Sequence, residues 1–459
     1  MSDMPLFQAL VFLTAVIVLI VATPPRNFHP FLAIVVIATA FGFAAGFSTG
    51  LVGKTFGAGF SQAIYSPGLA LVAAALVAGL AETSAASDRL MATIERWRSH
   101  LGITRLPALL GLVAGMAASP ATAFAVLTPL LRPLSGAKPQ QRGPVAIALA
   151  LGISASHGLV LLAPVQIAAT SILDAAWDRV ALFGIPLALL LAGFGAILAR
   201  TMFMAAAASP PLPAPPIDAP QIAKQSGGGS ATVLLLATAV PLLMLIEQSI
   251  GDMPSEPLGG GPARELVIGI GRPLLLFLVG VGIMSLGHWR RGLSLLGDST
   301  WVGRILGNVA GILLIVGAAG GLQKLCQETG MAELLGERLV GWHLLGWSGG
   351  VLIPFLIAAV IKTLQGSSLV AAITTAGIVQ PILLPLGLDG GNGKALAALA
   401  VGIGAMTISH VNDDFFWLVA DSAGLPPYRG LSAFSLGTLL QGLAAVTALL
   451  LFSALTQII

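Results

Sequence analysis

Residues 402–417 read GIGAMTISHVNDDFFW, an apolar segment interrupted by a Ser-His pair and two aspartates. Residues 152–166 read GISASHGLVLLAPVQ and carry a second Ser-His pair in similar apolar surroundings. Polar and ionisable groups at bilayer depth are costly, so they usually face a cavity inside a bundle of helices. The two stretches therefore predict a pair of broken membrane helices, one over residues 143–174 and one over residues 394–421.

The composition indicates that most of the chain lies in lipid. Of its 459 residues, 56% are hydrophobic and only 9% are charged, and the mean hydropathy is +0.95. A soluble domain carries about 25% charged residues. We therefore predict an all-α polytopic protein of the bacterial inner membrane. Because about 20 apolar residues cross a bilayer, about ten full transmembrane helices are expected, over residues 5–23, 28–48, 66–86, 143–174, 179–204, 231–250, 265–287, 301–325, 394–421 and 430–457.

Two further apolar segments, residues 105–135 and 345–388, are interrupted by small and polar residues. Lipid does not tolerate an exposed break in the backbone, so each segment is predicted to be a re-entrant helical hairpin buried in protein. A Pro- and Gly-rich flexible linker over residues 205–230 separates an N-terminal half, residues 1–204, from a C-terminal half, residues 231–459.

Both halves show the same order of segments, namely a hairpin, a broken helix and then an ordinary span. If the N-terminus lies outside, most of the 22 Lys and Arg residues lie inside, as the positive-inside rule requires. The first hairpin then enters from the inside and the second from the outside. This order predicts two inverted-topology repeats, the architecture of alternating-access carriers.

Several function classes are disfavoured by what the sequence lacks. No basic stripe with interleaved aromatic residues occurs, so nucleic acid is not an expected partner. The single cysteine, Cys326, leaves no internal disulfide and no Cys-based zinc site. Neither a nucleotide-binding loop nor a nucleophile–base–acid set is visible, so no cofactor, metal or enzymatic activity is expected. A channel is disfavoured because rings of charged residues are absent.

Hydroxyl, amide and basic side chains cluster at the predicted breaks. Free N–H groups at helix N-termini form a ready anion site, and small residues let a ligand approach the backbone. A small organic anion is therefore the expected substrate. The residues predicted to bind it are Ser119, Thr122, Ser156, His157, Lys362, Ser367, Ser368, Thr374, Ser409 and Asn412. Lys362 could instead extend to the membrane–water interface on the outer side of the inner membrane.

Four ionisable residues are predicted to couple transport to an ion: His157, His410, Asp413 and Asp414. Neighbouring carboxylates in a partly dry site could share a proton, and histidine titrates near neutrality. Alternatively, Asn412, Asp413 and nearby carbonyl groups could coordinate sodium. Either aspartate could also cap the helix that follows the break.

The motif SHVND at residues 409–413, with Phe416 and Trp417 after it, resembles the gluconate:proton symporter family, also called the gluconate permeases. Residues 366–377 and 156–158 are similar to two further motifs of that family. The resemblance implies symport of gluconate-like sugar acids or other hydroxy-carboxylates with protons. It also implies a place in a wider superfamily of ion and anion transporters built from inverted repeats with hairpins.

Two stretches depart from the family pattern. Residues 161–166 read LLAPVQ where the family usually has a run rich in proline, and residues 119–122 read SPAT where an acidic–aromatic pair is common. Both stretches fall where substrate is expected to bind, so a divergent member with another anion fits the sequence. A cation/proton antiporter and a sodium-coupled carboxylate carrier on the same fold stay open, as does a homodimeric assembly.

Overall fold

The computed structural model describes residues 7–8, 10–12, 14, 29–117, 119–136, 138–207, 230–252, 256, 259, 261–287, 294–330 and 350–455. All regular structure among these residues is helical. The first helices are α1 (Pro30–Ala44), α2 (Thr49–Ala63), α3 (Leu69–Thr83), α4 (Ala86–Ala114), α5 (Pro120–Ser135), α6 (Arg142–His157), α7 (Pro164–Ile172) and α8 (Trp177–Ala207). The later helices are α9 (Ala231–Gly251), α10 (Pro262–Ile270), α11 (Pro273–Leu286), α12 (Ser299–Glu328), α13 (Leu352–Gln365), α14 (Ser368–Val379), α15 (Gly391–Met406), α16 (Asp414–Ser422), α17 (Pro427–Gly430) and α18 (Leu436–Leu455).

Several described helices are long and apolar enough to cross a membrane. They are Thr49–Thr83, Trp177–Met202, Ala231–Gly251, Ser299–Glu328 and Pro427–Ala454. Together α10 and α11 could form one more span, bent by 60°. Such a chain is a polytopic helical membrane protein, as predicted. The number of ten spans stays a prediction, because other predicted spans correspond to shorter helices. Most of the predicted span 5–23 and of the predicted linker 205–230 lies outside the described residues.

The Thr49–Thr83 helix begins earlier than the sequence indicates. Apolarity predicts a span over residues 66–86, whereas the helix already begins at Thr49 and passes through a π-helical segment, Ile64–Gly68, that contains Pro67. The first part of this helix, α2, is rich in glycine and therefore resembles a loop by hydropathy. It forms a helix that packs closely against α12, because glycine lets two helix backbones approach each other.

Four interruptions separate consecutive helices near the centre of the described bundle. Residues 115–119 separate α4 from α5, and residues 366–367 separate α13 from α14. In both cases the helices on either side of the turn pack against each other. Residues 158–163 separate α6 from α7, and residues 407–413 separate α15 from α16. The backbone groups freed at these points need partners inside the protein, since lipid supplies none.

Helices α6 and α15 form the centre of the described bundle. Residues 145–151 of α6 and 397–401 of α15 are fully buried. The short helix α7 packs against α14 and α15, whereas α16 packs against α5 and α6. Each short helix that follows a break thus lies against a helix that is distant in sequence, α7 against α14 and α16 against α5. This packing brings the four interruptions into one region.

Candidate functional site

A cavity of about 310 Å³ lies where these interruptions meet. It is bordered by the two hairpin turns, by the ends of α6 and the start of α16, and by facing parts of α2 and α12. Its polar lining residues are Gln62, Ser66, Ser119, His157, Gln323, Lys324, Gln327, Ser367, Ser368, Asp413 and Asp414. A cavity of this size, with convergent polar groups contributed by both halves, can hold a small polar solute.

Three helix N-termini border the cavity, those of α5, α14 and α16. The Ser119 hydroxyl caps α5 by accepting a hydrogen bond from the Thr122 backbone N–H at 3.3 Å. The Ser367 hydroxyl caps α14 in the same way, accepting from the Val370 N–H at 3.4 Å. A helix N-terminus carries a partial positive charge and unpaired N–H groups. The N-termini of α5 and α14 have no acidic residue in their first turns and favour a negatively charged group in the cavity, whereas the N-terminus of α16 already carries Asp413 and Asp414.

A buried ion pair lies directly behind the start of α16. The Lys362 ammonium donates to Asp413 Oδ2 at 2.6 Å, and the two side chains are only 2% and 7% exposed. Lys362 also donates to the Gly366 carbonyl oxygen, and the Ser409 hydroxyl donates to Asp413 Oδ2 at 2.5 Å. Asp413 Oδ1 accepts from the Phe415 N–H at 3.0 Å and so caps α16. Asp413 therefore serves as helix cap and ion-pair partner at once.

The second hairpin turn is joined to the break after α15 at close range. Gly366 has a φ of +79°, and a Cβ there would lie 2.3 Å from the Asn412 carbonyl oxygen. Only glycine fits this conformation and this approach without strain. On the same side, His410 Nε2 and Asn412 Nδ2 lie 2.8 and 3.0 Å from the Thr363 carbonyl oxygen. These contacts hold the break against the end of α13.

His157, the last residue of α6, connects the first hairpin to the cavity. Its Nδ1 lies 2.9 Å from the Gly115 carbonyl oxygen, and the residue is 2% exposed. The neighbouring Ser156 is fully buried. The ring is thus held by the backbone of the first hairpin turn while it borders the cavity.

The predicted site residues divide into two groups. Those that line the cavity are Ser119, His157, Ser367, Ser368, Asp413 and Asp414. Those that lie outside its lining are Thr122, Ser156, Lys362, Thr374, Ser409, His410 and Asn412. The Thr122 hydroxyl lies 3.1 Å from that of Ser66, and Thr374 is half-buried on α14. Their roles in binding or coupling stay predictions.

One wall of the cavity was missed by reasoning from sequence. Gln62 and Ser66 belong to the helix whose first part was not predicted, and Gln323, Lys324 and Gln327 belong to the end of α12. The sequence pattern could have indicated Gln323, Lys324 and Gln327. They are polar at helical spacing at the end of an otherwise apolar helix, which marks one helix face.

A polar cavity at the meeting point of interrupted helices, inside a polytopic helical bundle, defines a membrane transport protein. The amino-acid sequence of the whole chain supports the same class of protein. The chain belongs to the GntP family permeases, whose sequence profile matches residues 4–455.

Three relatives illustrate the range of this family. A gluconate permease of Pseudomonas aeruginosa is 28% identical over 418 residues, covering 89% of each chain. The D-serine transporter DsdX of Escherichia coli is 24% identical over 440 residues, covering 95% of this chain and 96% of its own. The inner membrane permease YgbN of Escherichia coli is 26% identical over 455 residues, covering 94% and 95%. The chain is accordingly a multi-pass inner-membrane permease and not an enzyme.

Proposed function

We propose that the protein is a proton-coupled symporter that carries a small organic anion, a gluconate-like sugar acid or another hydroxy-carboxylate, by alternating access between two inverted halves. The observation that carries the proposal is the cavity of about 310 Å³ bordered by the N-termini of α5 and α14. These termini come from both halves and attract negative charge. The gluconate permease of Pseudomonas aeruginosa supports the class of substrate.

The charges around the cavity support coupling to a proton. Lys362 and Asp413 offset each other's charge at 2.6 Å. Asp414, the next residue, adds a second carboxylate at the cavity wall. An anion entering the cavity would be repelled by an ionised Asp414, and this repulsion is strong where water is scarce. Anion binding is therefore favoured when Asp414 carries a proton, so the two would cross the membrane together.

A second cavity supports alternating access of the substrate from the two sides of the membrane. It measures about 570 Å³ and is formed by α3, the starts of α4, α6 and α12, and the ends of α5 and α16. Helices α5, α6, α12 and α16 therefore border both cavities, at different positions along each helix. Phe415 lines the first cavity, and Phe124 lies on α5 between the residues that line the first and the second cavity. Their ring centroids are 5.8 Å apart, and both residues are buried. In the proposed cycle these rings separate the two cavities until the halves move.

The proposal is tested with purified protein in proteoliposomes. Uptake of labelled gluconate, glycerate and lactate is measured with an inward proton gradient, an inward sodium gradient or no gradient. We expect the proton gradient alone to accelerate uptake. We expect Asp414→Asn to lose this acceleration while exchange of labelled for unlabelled anion continues. Asp389→Asn, an exposed loop residue, is the matched control and should behave as the wild type.

Other outcomes would identify the alternatives. Acceleration by sodium would indicate a sodium-coupled carboxylate carrier, in which Asn412 and Asp413 remain candidate ligands. Cation exchange without any added anion would indicate a cation/proton antiporter. An Asp414→Asn variant that still responds to the proton gradient would remove Asp414 from the coupling step and direct attention to His157, His410 and Asp413.

A further inference from the structure

We propose that Lys324, on α12, binds the carboxylate of the transported anion and leaves its partner Glu328 to do so. The inference rests on the proposed function and adds a specificity-determining residue to the same site. It assigns the lysine charge in the site to the wall formed by α2 and α12.

The first step concerns which lysine can reach a ligand. Lys362 is 2% exposed, is paired with Asp413, and does not line the cavity. Lys324 does line the cavity, and its side chain is 36% exposed. Among the residues that line this cavity, Lys324 is the one lysine or arginine. A carboxylate entering the site therefore meets Lys324 rather than Lys362.

The second step concerns the cost of freeing Lys324. Its ammonium lies 3.1 Å from the Glu328 carboxylate, one helical turn away, and the Glu328 side chain is 46% exposed. Ion pairs this exposed contribute little to stability, because water solvates both charges well. The ammonium carries three donors. Exchanging the Glu328 carboxylate for a ligand carboxylate therefore costs little, and Glu328 can return to solvent.

The third step concerns how Lys324 is positioned. At the crossing of α2 and α12, a Cβ at Gly59 would lie 2.6 Å from Lys324 Cβ. The Cβ end of the lysine side chain is thus held against α2, while its ammonium is held only by the exposed pair with Glu328. Gln62 on α2 and Gln323 and Gln327 on α12 line the same wall. Their amides can donate to and accept from the hydroxyl groups of a substrate whose carboxylate is bound by Lys324.

The test compares acids with their neutral amides. Binding of gluconate, glycerate and lactate and of the three corresponding amides is measured by the thermal shift of the purified full-length protein. The wild type should prefer an acid to its amide. Lys324→Gln should reduce this preference on the order of 10- to 100-fold, as for loss of a hydrogen bond to a charged group. Lys324→Arg should restore it, since the charge returns.

Glu328→Gln is the matched control. It removes the same ion pair but leaves the lysine, so the preference for the acid should be retained or increased. Lys324→Met, which keeps the apolar stem, serves if Lys324→Gln does not fold. An unchanged preference in these lysine variants, or an equal loss in Glu328→Gln, would overturn the inference and leave the proposed function standing. A wild type that binds none of the acids would overturn both.

Discussion

At the scale of single residues, the buried ion pair between Lys362 and Asp413 is the feature that hydropathy alone predicts least well. A lysine in an apolar segment can extend to the membrane surface, and the sequence left that alternative open. The structure places Lys362 inside, 2.6 Å from a carboxylate that lies 51 positions away in sequence. A buried charge requires such a partner, because an unpaired charge away from water is strongly destabilising.

We predict that Lys362→Met lowers the free energy of unfolding by about 3–5 kcal/mol, since Asp413 would remain as an unpaired buried charge. The double variant Lys362→Met/Asp413→Asn should recover part of this loss. Thermal unfolding of the protein in detergent measures both effects.

The matched control for this pair is Lys394→Met. It breaks an ion pair with Asp174 of 2.9 Å whose side chains are 27% and 93% exposed. Exposed pairs contribute about 0–1 kcal/mol, so a small shift is expected. Equal shifts in Lys362→Met and Lys394→Met would show that the buried pair contributes no more than the exposed one.

At the scale of elements, the crossing of α2 and α12 forms the wall of the cavity that carries Lys324. A Cβ at Gly59 would lie 2.2 Å from the Gly320 carbonyl oxygen, and a Cβ at Gly317 would lie 2.6 Å from the Phe60 ring. Small residues allow helices in lipid to pack this closely, where dispersion replaces the hydrophobic effect as the main attraction.

We predict that Gly59→Ala separates α2 from α12 and lowers stability by about 1–3 kcal/mol, the usual cost of overpacking. Anion binding should weaken too, because the wall moves. Gly57→Ala lies on the same helix and has nothing within 4 Å of its added Cβ. This control should be neutral or slightly stabilising, since alanine favours helix. Thermal unfolding and ligand binding of both variants decide the matter, and similar losses in the two would exclude the crossing as the cause.

At the scale of the whole molecule, two cavities lie along one set of helices. On α12, Gln323 borders the first cavity and Asn308 borders the second. Fifteen residues of helix span about 22 Å, most of a bilayer core. The second cavity contains Arg132, Lys138 and Arg142, which the positive-inside rule assigns to the cytoplasmic side.

We predict that cysteines at these two positions react with a membrane-impermeant maleimide from opposite sides. The native Cys326 is fully buried, so Cys326→Ser provides a background without a reactive thiol. Gln323→Cys should be labelled in right-side-out vesicles and Asn308→Cys in inside-out vesicles. Labelling of both from one side would contradict two-sided access, and the reversed pattern would overturn the predicted orientation.

The amino-acid sequence by itself determined the class of this protein and pointed to six of the residues that line its cavity. Low charge and long apolar segments require helices in lipid, and the motifs around His157, Ser367 and Asp413 identify the gluconate permease family. These are local properties of the chain. Each can be recognised without knowing what the segment contacts, because the cost of polar groups and backbone breaks in lipid applies anywhere along a span.

Only the tertiary structure decided which helices form the α2–α12 wall of the cavity and which charged side chains are paired. The helix that begins at Thr49 packs against the backbone of α12. The buried ammonium of Lys362 is paired with Asp413, which comes from another segment. Lys324 lines the cavity because α2 and α12 cross at glycines. Helix packing and ion pairing are properties of two segments in contact, so a single stretch of sequence does not contain them.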